Sequence, residues 1–224
     1  QDMKWTYDWL LLQGITLFVN HAYYGTAQGL TKHDAPPSGF FQMPWYQHQK
    51  YLSAYVDKIA SAMDKGQRDI ELILLDPITA TWKYTSKDER QQHLQTFEKL
   101  QQELFRAGYD FYIMDPSLLN QCEKVGEGLT YKEDEFKLLV DPNAWTIDEI
   151  IEKCVELKVP RLQVCHKGKA VEGLYAISWK KAKSQYHFVV NTGTFSGEVE
   201  LIDEEKNVLN IMYLQAFESR LICD

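Results

Sequence analysis

An aromatic and polar stretch between Asn20 and Tyr46 is the part of the sequence whose residue types best fit ligand chemistry. It is too irregular for a core helix or strand, and its aromatic residues alternate with short polar side chains. A sugar ring is recognised when its apolar C–H face stacks on an aromatic plane while polar side chains bind its hydroxyls. The candidate sugar-binding residues are His21, Tyr23, Tyr24, His33, Asp34 and Trp45. The alternative is a long connector whose aromatic residues only pack against neighbouring elements, although long loops in compact domains are often functional.

Three predicted strands end in Asp-Pro, at Asp76, Asp115 and Asp141. Ligands of open α/β sheets bind beyond the carboxyl ends of strands, so these carboxylates could form an acidic cluster. The simpler interpretation is that each Asp-Pro pair begins a turn, through local hydrogen bonds and the fixed φ of proline. No glycine-rich phosphate-binding motif follows these strands, and we therefore expect neither a nucleotide nor another cofactor.

Cys165 and His166 follow a further predicted strand and are a candidate pair of thiol nucleophile and base. Adjacent residues of an extended chain point to opposite sides, and the small neighbours that a nucleophile elbow requires are absent, so this reading is disfavoured. The six histidines are dispersed, and their spacing predicts no metal site. The four cysteines lack CxxC spacing and are interpreted as free thiols, which leaves the cellular compartment open.

The composition excludes several classes of protein. The 224 residues include 32 acidic side chains against 24 Lys plus Arg, which gives a formal net charge of −8. Without a basic cluster, a protein that binds the phosphates of nucleic acid is not expected. No apolar run approaches the roughly 18 to 20 residues of a membrane span, and the N-terminus does not resemble a signal peptide. Because the sequence begins with Gln1 instead of Met, we expect a fragment of a longer protein.

Helices and strands alternate over most of the sequence. Apolar periodicity and capping residues predict four helices, over residues 2–13, 47–63, 87–107 and 147–157. Buried apolar runs predict five strands, over residues 15–19, 70–75, 109–114, 136–140 and 162–165. The run at 15–19 is typical of a strand that is buried on both faces. Strands that alternate with long helices need crossover connections, which indicate a parallel sheet covered on both faces.

The pattern changes from about Tyr175. Short β-rich runs at 186–191, 198–202 and 219–222 are separated by glycine or charged turns, with no helical pattern between them. The sequence therefore predicts an α/β fold, with a doubly wound, mostly parallel sheet and a small antiparallel β module at the C-terminus.

A resemblance to a known family is carried mainly by the N-terminal third. Three stretches carry it, namely residues 14–24, residues 33–38 and Pro44-Trp45. They resemble the last barrel strand and the following loop of large glycoside hydrolases related to family 106, the α-L-rhamnosidase type. Residues 69–77 and 108–115 are similar to the flavodoxin-like domain of the same proteins. That domain is a relative of the class I glutamine-amidotransferase fold and lacks the amidotransferase cysteine. Residues 186–191 and 214–219 are similar to the β module that follows it.

The resemblance implies three domains. Residues 1–66 would be the remnant of a barrel end with the aromatic loop and a connecting helix, residues 67–173 a flavodoxin-like α/β domain, and residues 174–224 an antiparallel β module. His21, Tyr23 and Tyr24 would then lie at the carboxyl end of a barrel strand, which is the reaction face of such barrels.

The function that the resemblance implies is a supporting one. The chain would be the C-terminal part of a carbohydrate-active glycosidase and would wall one side of a sugar pocket. The two carboxylates that glycoside hydrolysis requires would lie outside it, so the isolated chain is expected to be inactive. The expected partners are a carbohydrate and the remainder of the glycosidase. The alternative is a non-catalytic carbohydrate-binding or oligomerisation domain, while an independent hydrolase or amidotransferase would lack its nucleophile.

Overall fold

The computed structural model describes residues 2–26, 28–33 and 38–223, which form two compact units. Unit 1 comprises residues 1–66 and 181–184, and unit 2 comprises residues 67–180 and 185–224. The helices of unit 1 are α1 (Asp2–Leu12) and α2 (Gln49–Met63), with 3-10 helices at Gly29–His33 and Tyr46–His48. The division into three domains at residues 66 and 173 stays a prediction.

A buried carboxylate links the two helices of unit 1. Asp8 is almost fully buried on α1, and its Oδ2 lies 2.5 Å from Nζ of Lys4, one turn earlier in the same helix. Tyr55 of α2 donates its hydroxyl to Oδ1 of Asp8 at 2.5 Å. A buried charge is tolerated when it is paired and hydrogen-bonded, so this group fixes how α2 lies against α1. The predicted amphipathic character of α2 is confirmed, because its buried residues are Val56, Ile59, Ala60 and Met63.

Residues 15–19 do not form the predicted strand. They are not helical, and they pair with no strand in the described part of the chain. Leu17 is 81% exposed and Val19 is 87% exposed, whereas Thr16 and Phe18 are half-buried. The prediction of a strand buried on both faces is wrong for this chain, because such a strand needs neighbours that residues 2–26, 28–33 and 38–223 do not provide.

Unit 2 contains a parallel sheet, an antiparallel meander and two further sheets. Its strands are β1 (Gln67–Arg68), β2 (Leu72–Leu75), β3 (Tyr112–Met114), β4 (Cys122–Val125), β5 (Gly128–Tyr131), β6 (Asp134–Phe136), β7 (Leu138–Val140), β8 (Leu162–His166), β9 (Lys169–Ala170), β10 (Leu174–Lys181), β11 (Ser184–Asn191), β12 (Gly197–Asp203), β13 (Val208–Leu214) and β14 (Ser219–Cys223). Its helices are α3 (Ile78–Thr81), α4 (Lys87–Ala107) and α5 (Ile147–Glu156), with a 3-10 helix at Pro116–Gln121. In the part of the chain that is described, no helix is both long enough and apolar enough to cross a membrane.

Parallel pairing is confined to one small sheet. Its order is β3-β2-β7, with Leu74 opposite both Ile113 and Val140. The crossover from β2 to β3 runs through α3 and α4, as the sequence predicts. Between β3 and β7, however, the chain forms the antiparallel meander β4-β5-β6 and no long helix. Ile73 and Met114 of the parallel sheet share a core with Leu129 and Phe136 of the meander.

The expected doubly wound, flavodoxin-like sheet is wrong, and the orientation of β8 shows why. This strand, predicted as the next parallel neighbour, pairs antiparallel with β12 and β9. The resulting sheet has the order β13-β12-β8-β9, and a second sheet has the order β1-β10-β11-β14. Apolar side chains from both sheets form one core, namely Val164, Leu174, Ala176, Val189, Val199, Leu201, Met212 and Leu214. Antiparallel strands therefore dominate the described residues, and the predicted antiparallel C-terminal module is part of this larger arrangement.

Local signals place α4 and α5 correctly. The side chain of Ser86 accepts a hydrogen bond from Glu89 at the start of α4, and Gly108 ends it with a left-handed φ of +91°. Thr146 and Glu149 form the predicted capping box of α5. Gly108 also joins α4 to β8, because its carbonyl accepts a hydrogen bond from the Leu162 amide at 2.8 Å. The backbones approach so closely here that a Cβ on residue 108 would lie 2.7 Å from the Leu162 oxygen.

Replacing Gly108 with alanine should therefore destabilise the protein strongly. We expect Gly108→Ala to lower the free energy of unfolding by about 2–4 kcal/mol, as the sum of left-handed strain and backbone overlap. Gly168→Ala is the matched control, because Gly168 has a φ of +72° but nothing within 4 Å of its Cβ position. The control should cost only about 1 kcal/mol. Urea denaturation followed by circular dichroism measures both, and equal losses would contradict the close packing of α4 on β8.

Candidate functional site

An aromatic cluster in unit 1 follows the unpaired segment at residues 15–19. Phe40 is its centre, with ring centroids 5.6 Å from Tyr23, 5.2 Å from Tyr46 and 5.1 Å from Phe41. The last two contacts are edge-to-face, a favourable geometry for aromatic quadrupoles. These contacts bring together aromatic residues that lie up to 23 positions apart in the sequence.

Gly39 lies next to two of the predicted residues, Tyr23 and Trp45. Its amide donates a hydrogen bond to the Ala22 carbonyl at 2.7 Å. A Cβ on residue 39 would lie 3.7 Å from the Tyr23 ring and 3.8 Å from the Trp45 ring, so both rings border the bare glycine backbone. Tyr23 stays 41% exposed and Trp45 stays 37% exposed. The result is a pair of fixed, half-open aromatic rings, as a stacking surface requires.

The backbone around this pair is held by an unusual corner and by side-chain hydrogen bonds. Ala22 is buried and has a φ of +74°, a left-handed conformation that costs energy for a residue with a Cβ. The Ser38 hydroxyl donates to Oε1 of Gln42 at 2.9 Å, and Nε2 of Gln42 donates to the Tyr24 carbonyl at 3.0 Å. The loop therefore keeps a strained conformation at the base of the aromatic pair.

The electrostatics of the cluster favour neutral hydroxyl groups. Burial raises the pKa of Tyr23, and the neighbouring Tyr7 and Tyr46 add to this increase. The Tyr23 hydroxyl is therefore protonated at neutral pH and can exchange hydrogen bonds with a ligand hydroxyl. Tyr7 donates its own hydroxyl to Oδ1 of Asn20 at 2.5 Å, next to the unpaired segment.

The other predicted site residues join this pair only in part. Tyr24 is half-buried and is linked to the loop through its carbonyl. His21 and His33 are exposed, and within the described part of the chain neither forms a ring contact with the cluster. Asp34 lies outside the described residues. Sequence reasoning missed Gly39 and Ala22, although the Ser38-Gly39 pair was a recognisable turn signal.

The Asp-Pro aspartates are turn residues, as the simpler interpretation holds. Oδ1 of Asp76 accepts from the Ile78 amide at 2.9 Å, and Oδ1 of Asp115 accepts from the Ser117 amide at 2.8 Å. Hydrogen bonds from the backbone amide and the side chain of Ser117 hold the pKa of Asp115 below its usual value. Asp141 makes the equivalent bond to the Asn143 amide at 2.9 Å. Within the described residues, no group of three or more His, Cys, Asp or Glu side chains could hold a metal ion.

Cys165 and His166 do not form a catalytic pair. Cys165 is buried, and burial raises the pKa of its thiol, which disfavours the reactive thiolate. Nδ1 of His166 lies 2.6 Å from the Glu198 carbonyl, and its ring packs on Phe195. The imidazole is thus engaged with the neighbouring strand and with its aromatic contact.

A second candidate is a cleft of about 270 Å³ in unit 2, lined in part by Asp110 and Arg161. Both side chains already have partners. Arg68 binds Asp110 through two hydrogen bonds, of 2.8 Å and 2.5 Å, and Nε of Arg161 donates to the Ala107 carbonyl at 2.7 Å. Burial raises the pKa of Asp110, and Arg68 opposes this increase. Asp110 and Arg161 therefore hold the fold together, and the aromatic pair is the better candidate site.

Comparison with known proteins finds similarity in the fold. The sequence matches no family model and no curated protein. The structure is similar to that of a rhamnosidase from Novosphingobium sp. PP1Y, with a TM-score of 0.61 and 10% sequence identity. This match covers 99% of the chain but 29% of the rhamnosidase, so the chain spans less than a third of that protein's length. An apo exo-carrageenase, GH42, from Bacteroides ovatus matches at a TM-score of 0.46 and 12% identity, over 80% of this chain and 32% of that one. The latter score is too low to support an argument.

The resemblance to a rhamnosidase thus extends to the fold. Membership of family 106 and the roles of individual residues stay predictions.

Phe40 should hold the aromatic cluster together. We expect Phe40→Ala to make the Tyr46 amide, which donates to the Met43 carbonyl at 3.0 Å, exchange with solvent at least about tenfold faster. Phe41→Ala is the control, because the Phe41 ring is more exposed and contacts Phe40 at the edge of the cluster. Hydrogen exchange followed by NMR measures both variants. An effect of Phe41→Ala as large as that of Phe40→Ala would show that Phe40 is not the centre.

Proposed function

We propose that the chain is the C-terminal part of a carbohydrate-active glycoside hydrolase of the α-L-rhamnosidase type, related to family 106. In that glycoside hydrolase, the chain would form one wall of the sugar-binding pocket. The observation that carries the proposal is the pair of half-open rings, Tyr23 and Trp45, on the bare backbone of Gly39. The similarity in fold to a rhamnosidase over nearly the whole chain supports it.

The proposed role is to bind and orient a sugar. The rings offer apolar faces to the C–H groups of a pyranose, and the protonated Tyr23 hydroxyl can bond a sugar hydroxyl. The described part of the cluster contains no carboxylate, whereas glycoside hydrolysis requires a pair of them. The acid and the nucleophile or base would therefore come from the remainder of the glycosidase. The wall would hold the glycosidic bond in line with these groups and keep water from one side.

Substitutions at the aromatic pair test the proposal in the full-length protein. We expect Trp45→Ala to raise KM for an aryl α-L-rhamnoside about three- to tenfold, because one stacking surface is lost. Trp82→Ala is the matched control, since Trp82 is an exposed tryptophan of unit 2 and should leave KM unchanged. Equal effects of the two substitutions would contradict the sugar wall. Turnover of any aryl glycoside by the 224-residue chain alone, if it survived repurification, would contradict the supporting role.

An oligomerisation domain is the second candidate function, and the surface of β13 favours it. This strand ends its sheet and exposes four large apolar side chains, Val208, Leu209, Ile211 and Tyr213. Exposed apolar edge strands are templates for pairing with another chain. In that case, size-exclusion chromatography with light scattering should show a defined oligomer, and Ile211→Asp should convert it to a monomer. A monomer at all concentrations before substitution would rule out this alternative.

A further inference from the structure

The chain turns in repeating steps of three residues between Phe40 and Gln49. The Met43 amide donates to the Phe40 carbonyl and the Tyr46 amide donates to the Met43 carbonyl, both at 3.0 Å. The Gln49 amide then donates to the Tyr46 carbonyl. In consecutive turns of this kind, residues three apart lie one above the other. Phe40, Met43, Tyr46 and Gln49 are accordingly all half-buried, on the side that faces the aromatic cluster.

A second row of side chains, one residue out of step with the first, is aromatic and exposed. It consists of Trp45, His48 and Tyr51, which we call the aromatic row. The His48 amide donates to the Trp45 carbonyl at 2.9 Å, so these two residues lie on successive turns, and Tyr51 follows one turn later in α2. Trp45 is 37% exposed, Tyr51 is 66% exposed, and His48 is also exposed.

The rings of the aromatic row have similar tilts. The His48 and Tyr51 planes differ by 26°, and their centroids are 6.4 Å apart. Three residues advance the chain by about 6 Å in a 3-10 helix and by about 4.5 Å in an α-helix. Successive rings are therefore spaced along the helix by about the length of one sugar ring.

Polar groups accompany the aromatic row. Nζ of Lys50 lies 5.0 Å from the centre of the Tyr51 ring, and Nε2 of Gln47 lies 3.3 Å from Nε2 of His48. Each ring of the row also has a polar edge, namely an indole N–H, an imidazole nitrogen or a phenol hydroxyl. Rings with hydrogen-bonding edges match a sugar chain, which offers apolar C–H faces and hydroxyl groups around them.

The aromatic row starts at the candidate site itself. Trp45 is both its first member and one of the two rings that border Gly39, where the aromatic pair is completed by Tyr23. We propose that the aromatic row binds an oligosaccharide, with one sugar at the aromatic pair and the following sugars on His48 and Tyr51. This inference rests on the sugar wall proposed above, and it names an oligosaccharide as the ligand of that wall.

The side chains of the row favour a sugar chain over a protein partner. Residues 45–51 contain no aliphatic side chain, whereas helices that bind proteins present apolar anchors three and four residues apart. In α2 the side chains of that kind, Val56, Ile59 and Met63, are already buried within the fold. A protein interface would also have to desolvate Lys50 and His48, while sugar hydroxyls can form hydrogen bonds with both.

Binding of two probes by the 224-residue chain tests the proposal. The probes are methyl α-L-rhamnoside and an α-L-rhamnotriose, and titrations followed by ¹H–¹⁵N NMR measure both dissociation constants. We expect the trisaccharide to bind at least about tenfold more tightly and to shift the His48 and Tyr51 amides, which the monosaccharide should not move. Equal affinities, or unequal affinities without a shift at Tyr51, would overturn the oligosaccharide site and leave the sugar wall intact. A lack of binding by both probes would overturn both proposals.

Tyr51→Ala separates the aromatic row from the aromatic pair. This variant should bind the trisaccharide about three- to tenfold more weakly and the monosaccharide unchanged, whereas Trp45→Ala should weaken both. Tyr213→Ala is the matched control, because Tyr213 is a 56% exposed tyrosine of unit 2 and should leave both affinities and Tm unchanged. Equal trisaccharide affinities for Tyr51→Ala and Tyr213→Ala would contradict the proposal. Self-association of the chain that Tyr51→Ala abolishes would identify a protein surface instead and would also overturn it.

Discussion

The antiparallel pairing of β8 with β12 is the contact on which unit 2 depends. It sets Val164 opposite Leu201, and both side chains lie in the core shared by the two four-stranded sheets. The start of β8 is in turn joined to the end of α4 by the bond from the Leu162 amide to the Gly108 carbonyl. The helical layer and the paired sheets are therefore connected through one strand. If β8 were instead parallel to β2, β12 would lose its neighbour and the core would lose one wall.

The sequence predicts those parts of the fold whose signals are local. Ser86 and Gly108 define α4 to the residue, and Thr146 and Glu149 define the start of α5. The direction of β8 has no local signal, because a short apolar run looks the same in a parallel and an antiparallel sheet. Its partner, β12, is more than 30 residues away in the sequence. The meander β4-β5-β6 escaped prediction for a different reason, since its strands are only three or four residues long and lack clear alternation.

At the candidate site, too, the sequence indicates which residue types are present but not how they are arranged in space. Aromatic and polar composition predicts a binding site within residues 20–46, which stays a prediction, and composition cannot say which rings meet. That depends on the backbone at Gly39, which both the Tyr23 and the Trp45 ring border, and on the left-handed corner at Ala22. The same reasoning includes His21 and His33, which are exposed in the described chain, and their role in binding stays a prediction. For the aspartates, the choice between cluster and turn was settled by single hydrogen bonds to the amide two residues later.

The unpaired segment of residues 15–19 is followed closely in the chain by Tyr23 of the aromatic pair. Asn20 follows the segment, Ala22 makes the corner, and Tyr23 is the next residue. A ring that is to orient a ligand must be held by rigid elements, because ordering a flexible wall on binding costs affinity. The loop side of the wall is fixed by Phe40 and Gly39, whereas its strand side has open backbone groups in the described chain.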